Sequence, residues 1–407
     1  MSDKEVTKIV GSSLMNQPSV AARVKTLRKL RGLTQEQLAA ASSFSVSLVR
    51  QVERGTVPAS AQFVAAAAKA LGVTPPYLWG TEQREIEDQP SVEDAGIAAL
   101  RRAIDAFDDP RPEGDPLPLP FINDRLTIVA GDVFRLKYGE AATELSSLLH
   151  HLYVHTGDPD PDRVLAYAYL HDAYRLAASV AGRFRQADLA AIASERHVQL
   201  APLTGDPARI AVSAFHRSSR HLQSGDYAAG LRLLDRARTD LGDDPASKGV
   251  RAQIDLRSGV LSARGGDRSQ ADEYIQDARA MIEEGAETVP FHGIDASATN
   301  VAAHYCAAPV ESGDPDGSVQ RGAEINLVDP NRPERVGHHH MTLALANAQN
   351  NNRQQAVSEL NAARHADPVN SRRHPVMRET ILAIAENARA VPGDLPELAR
   401  WAGVEGI

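Results

Sequence analysis

The chain has 407 residues, more than the roughly 250 to 300 at which a single hydrophobic core stops growing, so two or more folded units are expected. Hydrophobic residues at 43%, charged residues at 24% and aromatics at only 5% exclude a chain disordered throughout and favour alanine-rich helices over aromatic-rich sheets. The formal net charge of −9 divides unevenly, with +6 on residues 1–81 and −15 on the rest, which places a basic head on an acidic body.

No run approaches about 18 uncharged apolar residues, and MSDKEVTKIVGSS lacks the long apolar stretch of an export signal. Cys306 is the only cysteine, which excludes an intrachain disulfide and a cysteine zinc cluster. No membrane partner and a cytoplasmic location are expected.

Residues 1–18 read as an N-terminal arm. Val20, Val24, Leu27 and Leu30 then mark one apolar face of a first helix, which Gly32 ends. Thr34-Gln35-Glu36-Gln37 has the form of a capping box and opens a short second helix to about Ala41. Ser45 is placed to cap a third helix, SVSLVRQVERG, with Val49 and Val52 inward and Val46, Ser47, Arg50 and Gln51 outward. A fourth helix is predicted over Ala59 to Leu71, and Thr74-Pro75 opens a fifth through Leu78 and Trp79. Residues 19–81 thus form a five-helix head.

LTQEQLA, the ERG after the third helix and ALGV before the fifth occur in register, and from Arg23 to about Gly80 the chain resembles the Cro/C1-type (XRE) helix-turn-helix of phage repressors and their bacterial relatives. The resemblance implies a lambda-repressor-like head on a double-stranded DNA operator. It implies that Gln35 holds a phosphate, that Val46, Ser47 and Gln51 face base edges in the major groove, and that Arg28 and Glu53 form a structural ion pair between helices one and three. Chemistry agrees: Gln51 can pair in bidentate fashion with adenine, Arg50 can reach guanine or phosphate, and Val46 can touch a thymine methyl. Ser45 caps this helix beside the same surface. Arg23, Lys25, Lys29, Arg31 and Arg54 are candidates for phosphate contacts that fix register without reading sequence. One departure is Ser43, where the family has glycine; a left-handed backbone there costs about 1 to 2 kcal/mol.

Residues 82–121 look like a linker, polar in TEQREIEDQPS and proline-rich in DDPRPEGDPLPLP, around one helix whose stripe is Ile97, Leu100, Ile104 and Phe107. That stripe is expected to pack on the following domain rather than form a dimer seam.

From residue 122 to 407 helix follows helix. Gly182, Gly225, Gly266 and Asn351 open turns, each followed five positions later by a small residue: Ala187, Gly230, Ala271 and Ala356. The spacings of 43 and 41, then 85 with Gly313-Asp314 where a missing turn belongs, describe helical hairpins stacked into a solenoid. Over roughly 160–390 the pattern resembles degenerate tetratricopeptide (TPR-like) repeats, GDYAAGLRLLDRA being the nearest to that family. The predicted fold is therefore all-α, an XRE head on a TPR-like α-solenoid.

This combination resembles XRE regulators with C-terminal TPR-like domains, among them peptide-sensing quorum regulators and actinomycete relatives. The resemblance implies a homodimer and a peptide or small-molecule effector in a groove lined by the first helix of each hairpin, here near 162–181, 207–223, 247–264, 295–307 and 335–350. Counting back from the turns puts Tyr169, Asp172, Phe215, Gln253, Asn300 and His338 near that inner face, where amides can hold a peptide backbone and aromatics an apolar side chain.

Other constellations lead nowhere. Consecutive helical residues such as His338, His339 and His340 point about 100° apart and cannot converge on a metal. Asp158 to Asp162 imitates a calcium loop but has Arg163 and Tyr169 where glycine and glutamate belong. No phosphate-cradling loop, HExxH or GxSxG is present, so no enzyme, cofactor or metal is expected. Cys306 reads as a packed thiol. A protein-interaction adaptor is the alternative function, and catalysis on a signalling partner the weakest.

Overall fold

The computed structural model describes residues 19–73, 75–80, 92–107, 109–135, 137–157, 161–184, 186–289, 292–387 and 393–404. The N-terminal arm, Thr74, the acidic run at 81–91 and the Asp158-Pro159-Asp160 segment lie outside them.

The head consists of α1 (Val20–Leu30), α2 (Gln35–Ser42), α3 (Val46–Glu53), α4 (Ala61–Leu71) and α5 (Pro75–Trp79). Its boundaries follow from local chemistry. Thr34 Oγ1 accepts from the Gln37 amide at 3.1 Å while Gln37 Oε1 accepts from the Thr34 amide at 2.8 Å, the reciprocal cap its sequence announces. Ser45 and Ser60 accept from Leu48 and Phe63 at the starts of α3 and α4. Ser43 takes the left-handed conformation that closes α2, at φ 60°. Val20, Val24, Leu38, Val49, Val52, Phe63 and Leu71 form the head's core.

The body is an array of antiparallel helix pairs. Ahead of it, α6 (Val92–Asp105) packs on the following helices: Ile97, Leu100 and Ile104 are buried in one core with α7 (Leu119–Phe134), α8 (Tyr138–Val154) and α9 (Arg163–Arg183). Gly96 allows this packing, since a β-carbon there would stand 2.8 Å from the Gly139 carbonyl oxygen. Phe107, the last residue of the stripe, is instead exposed, with the Arg196 guanidinium 4.4 Å from its ring centre.

Hairpins follow as α9 with α10 (Ala187–Leu200), α11 (Pro207–Ser224) with α12 (Tyr227–Arg238), α13 (Pro245–Arg264) with α14 (Arg268–Glu283), α15 (Ala298–Glu311) with α16 (Pro315–Ala323), and α17 (Pro333–Gln349) with α18 (Arg353–Ala366). Three short helices, α19 (Pro368–Arg373), α20 (Pro375–Asn387) and α21 (Leu395–Trp401), close the array. Small residues seat the second helices: Ala271 and Ala356 are fully buried, and a β-carbon on Gly230 would meet Leu261 at 3.0 Å. Ala187 departs from the pattern and is exposed; Leu189 and Ala193 make the close approach in that hairpin.

The hairpin at Gly313 has its small residue at Ser318, also fully buried. There Pro309 interrupts α15, and the Ser318 hydroxyl donates to the Cys306 carbonyl at 2.7 Å and accepts from the Val310 amide at 2.9 Å, restoring the helical connection from outside. Cys306 itself is buried, and burial pushes its thiol up to about 11. Among the described residues no helix is long and apolar enough to cross a membrane, and no group of three His, Cys, Asp or Glu is placed to hold a metal ion.

Candidate nucleic-acid interface and inner face of the array

The exposed side of the head is built by α2 and α3. Ser47, Arg50 and Gln51 are exposed, Val46 is half-buried, and Ser45 is occupied in capping. Beneath them a polar network sets the angle between helices. Arg28 Nη2 donates to Glu53 at 2.9 Å and its Nη1 to the Leu33 carbonyl at 2.8 Å. Gln35 Nε2 donates to the same Glu53 at 2.8 Å, and Arg50 reaches Gln35 at 3.4 Å and Glu36 at 2.5 Å. Burial opposes ionisation of Glu53, but Arg28 and Gln35 outweigh it and hold the carboxyl below its ordinary range. The Gln35 amide is thus already engaged in the scaffold through its nitrogen.

Lys25, Lys29, Arg31 and Arg54 are exposed and lie on the head's surface as expected of phosphate contacts. Arg23 is a correction. Its Nε donates to the Leu78 carbonyl at 2.6 Å, its Nη2 lies 3.6 Å from Glu379 of α20, and the array covers it. The spacing that made it look like one more surface cation carried no information about a helix more than 350 positions away.

The head rests on the array through α1, α4 and the segment after α3, so that the end of α3 at Gln51 borders the seam. The Val20 amide donates to Glu379 at 3.2 Å, Gln62 to the Arg264 carbonyl at 2.7 Å, and Gln349 to the Pro58 carbonyl at 3.3 Å. The Glu386 carboxylate occupies the space where a β-carbon on Gly55 would stand. Burial, only partly offset by the Val20 amide and Arg23, pushes Glu379 up to about 7. A cleft of about 180 Å3 runs along the seam between Phe44, Leu48 and Gln51 of the head and Val310, Pro315 and Gln349 of the array.

In the array, the residues expected on the inner face divide. Tyr169 is half-buried and His338 exposed. Four others are interior. Phe215 belongs to the core of α11 and α13. Asn300 Nδ2 donates to Gln253 Oε1 at 3.1 Å and to the Asp295 carbonyl at 2.8 Å, which ties both side chains to the loop before α15. Asp172 is buried among Arg209 at 2.8 Å, His171 at 3.0 Å and His292 at 3.5 Å. Burial alone would raise Asp172; these three partners hold it well below the carboxylate range.

One position or one turn further along, His216, Arg257, His304 and Arg335 are half-buried and His338 exposed, while Arg175 is itself buried. Desolvation and the neighbouring guanidinium groups depress His216 and His304 to about 3. His338 is open to solvent yet depressed in the same way by desolvation and Arg335, the behaviour of a side chain in a concave surface. His374 stands against it with ring centres 5.6 Å apart. A signal for this face exists in the sequence: residues 175, 216 and 257 are basic or histidine and recur at an interval of 41, close to the hairpin period. The neighbouring His339 is buried, and His340 bonds to Glu359 at 2.8 Å, so the three adjacent histidines do point apart.

Among solved structures, the crystal structure of Bacillus thuringiensis PlcR in complex with the peptide PapR7 and DNA aligns over 86% of this chain and 94% of that one, at 12% identity and a TM-score of 0.28. At that score no residue role passes from one to the other. No curated protein matches the sequence. Residues 19–78 match the family profile described as "Helix-turn-helix domain", and with its capped α2, left-handed turn at Ser43 and exposed α3 the head of this chain is a helix-turn-helix domain.

Proposed function

We propose that the chain is a sequence-specific DNA-binding regulator in which the helix-turn-helix head reads an operator and the helical array receives an effector and sets the position of the head. The observation that carries this reading is the two-sidedness of the head. Ser47 and Arg50 are exposed on one side, with Gln51 exposed at its edge beside the seam cleft, while Arg23, Pro58 and Gln62 are fastened to the array. A major groove about 12 Å wide admits α3, with Gln51 and Ser47 on base edges and Arg50 on guanine or phosphate. Lys25, Lys29, Arg31 and Arg54 supply phosphate contacts, and Val46 contacts a thymine methyl. Two copies acting as a dimer place two heads on half-sites about 34 Å apart. An effector that binds one arrangement of head and array better than another shifts their populations.

Selection of binding sequences from a random duplex pool with the full chain tests this directly. Enrichment of one recurring motif, lost in Gln51→Ala, is the expected result. Recovery of no motif, together with equal retention of all duplexes, would sink it and leave the array as a protein-binding scaffold.

A further inference from the structure

Building on the array as the effector-binding half, we propose that its inner face is an oxyanion-binding site centred on Arg257, for a small effector carrying carboxylate or phosphate groups. Arg257 projects from α13 with Nη1 donating to Ser219 Oγ at 3.0 Å and its guanidinium 4.8 Å from the Phe215 ring centre. Among the described residues it forms no ion pair with a carboxylate, whereas Arg264, Arg335 and Arg183 on the same series of first helices are matched to Glu311, Asp295 and Glu334. One hydroxyl and one ring face leave most of a five-donor guanidinium available for a ligand.

Its surroundings favour an anion. Desolvation and the charges of Arg264 and Arg335 hold Arg257 down to about 10, and Arg175, beside His216, is lowered to about 10 chiefly by desolvation. The like charges around Arg257 oppose its own until an anion is shared between them. His216 and His304 are kept neutral by desolvation first and by neighbouring cations second. Each bonds through one ring nitrogen to a backbone carbonyl, of His292 at 3.0 Å and Asn300 at 2.8 Å, which fixes the ring without using a carboxylate. The face is therefore positive inside a body whose residues after 81 sum to −15. That outer charge repels an extended polyanion, so the occupant is small, and planar bidentate pairing with guanidinium selects carboxylate or phosphate.

Isothermal titration of the full chain at low ionic strength, with inorganic pyrophosphate in one arm and a triglutamate peptide in the other, separates the two sources of oxyanion. The expected result is saturable binding of at least one probe at one site per chain. It weakens at least tenfold in Arg257→Gln, recovers in part in Arg257→Lys, and is unchanged in Arg236→Gln on the exposed side of α12. Arg335→Gln provides the same reading if Arg257→Gln fails to fold. Saturation by neither probe, or binding indifferent to both arginine variants, overturns the assignment. Operator binding measured on the same preparations keeps the two ideas apart: loss of DNA recognition with oxyanion binding intact defeats the regulator and leaves the site standing.

Discussion

The chain carries two basic surfaces, and they differ in how their charge is held. On the head, Lys25, Lys29, Arg31 and Arg54 are exposed. Their charge costs nothing to hydrate and acts through counterion release, which gives affinity without selectivity and fades with salt. On the inner face of the array, Arg257 is partly stripped of water and crowded by Arg264 and Arg335. That arrangement is costly when empty and selective when filled. In the proposed reading, selectivity in the head comes instead from Ser47 and Gln51, which are uncharged. The lesson is that positive charge marks different functions depending on its hydration.

The strongest way to break the comparison is to remove the framework of the head. Arg28→Ala leaves Glu53 buried without its partner, and loss of one member of a buried pair costs about 3 to 5 kcal/mol. Chemical denaturation should show the head melting early and DNA binding lost at every salt concentration; an unchanged midpoint would mean the pair is dispensable. Next in size, Gln51→Ala should lower affinity for the selected operator by about 1 to 3 kcal/mol with little change on random duplex. Lys29→Ala should weaken both and reduce the salt slope by about one unit. Parallel salt titrations check this, and equal losses for Gln51→Ala on both duplexes would refute its role as a base reader.

A smaller effect is expected at the seam between the two regions. Glu379 is pushed up to about 7 when docked, facing Arg23, Arg378, Glu386 and the Val20 amide, so the docked state prefers its neutral form. The contribution to docking is fully present below the ordinary glutamate range and is lost as pH rises through about 7. Small-angle scattering should show a larger radius of gyration at pH 8.5 than at pH 5 in the wild type but not in Glu379→Gln. The smallest change expected is Ser43→Gly, which relieves the left-handed strain and should raise head stability by about 1 kcal/mol. A lowered melting temperature would show that the serine side chain contributes more than its backbone costs.

The head was legible nearly residue by residue, because its caps and its narrow apolar faces are local features: Thr34, Ser45, Val49 and Val52 stand where spacing put them. The order and ends of the array helices were legible for the same reason, from turns at Gly225, Gly266 and Gly313. Which side of those helices faces inward was not. In α13 the polar Gln253, Asp255, Ser258 and Ser262 are as buried as Val250 and Leu261, so no contrast between apolar and polar positions reveals orientation. Gln253 and Asn300 consequently looked like groove amides, while Arg257 and His304, one turn on, went unnoticed. The fate of Arg23 depended on a distant partner that no local pattern records.

The tie between the Val20 amide and Glu379 spans 359 positions, so the seam is complete only after almost the whole chain has been made. A newly synthesised head, whose own core draws solely on residues 20–79, can fold and meet a duplex while still attached to the ribosome, before α20 exists to hold it. Restraint of the head by the array is thus completed late, and a molecule interrupted before Glu379 would keep the ties at Arg264 and Gln349 but lack the one that holds Val20 and Arg23.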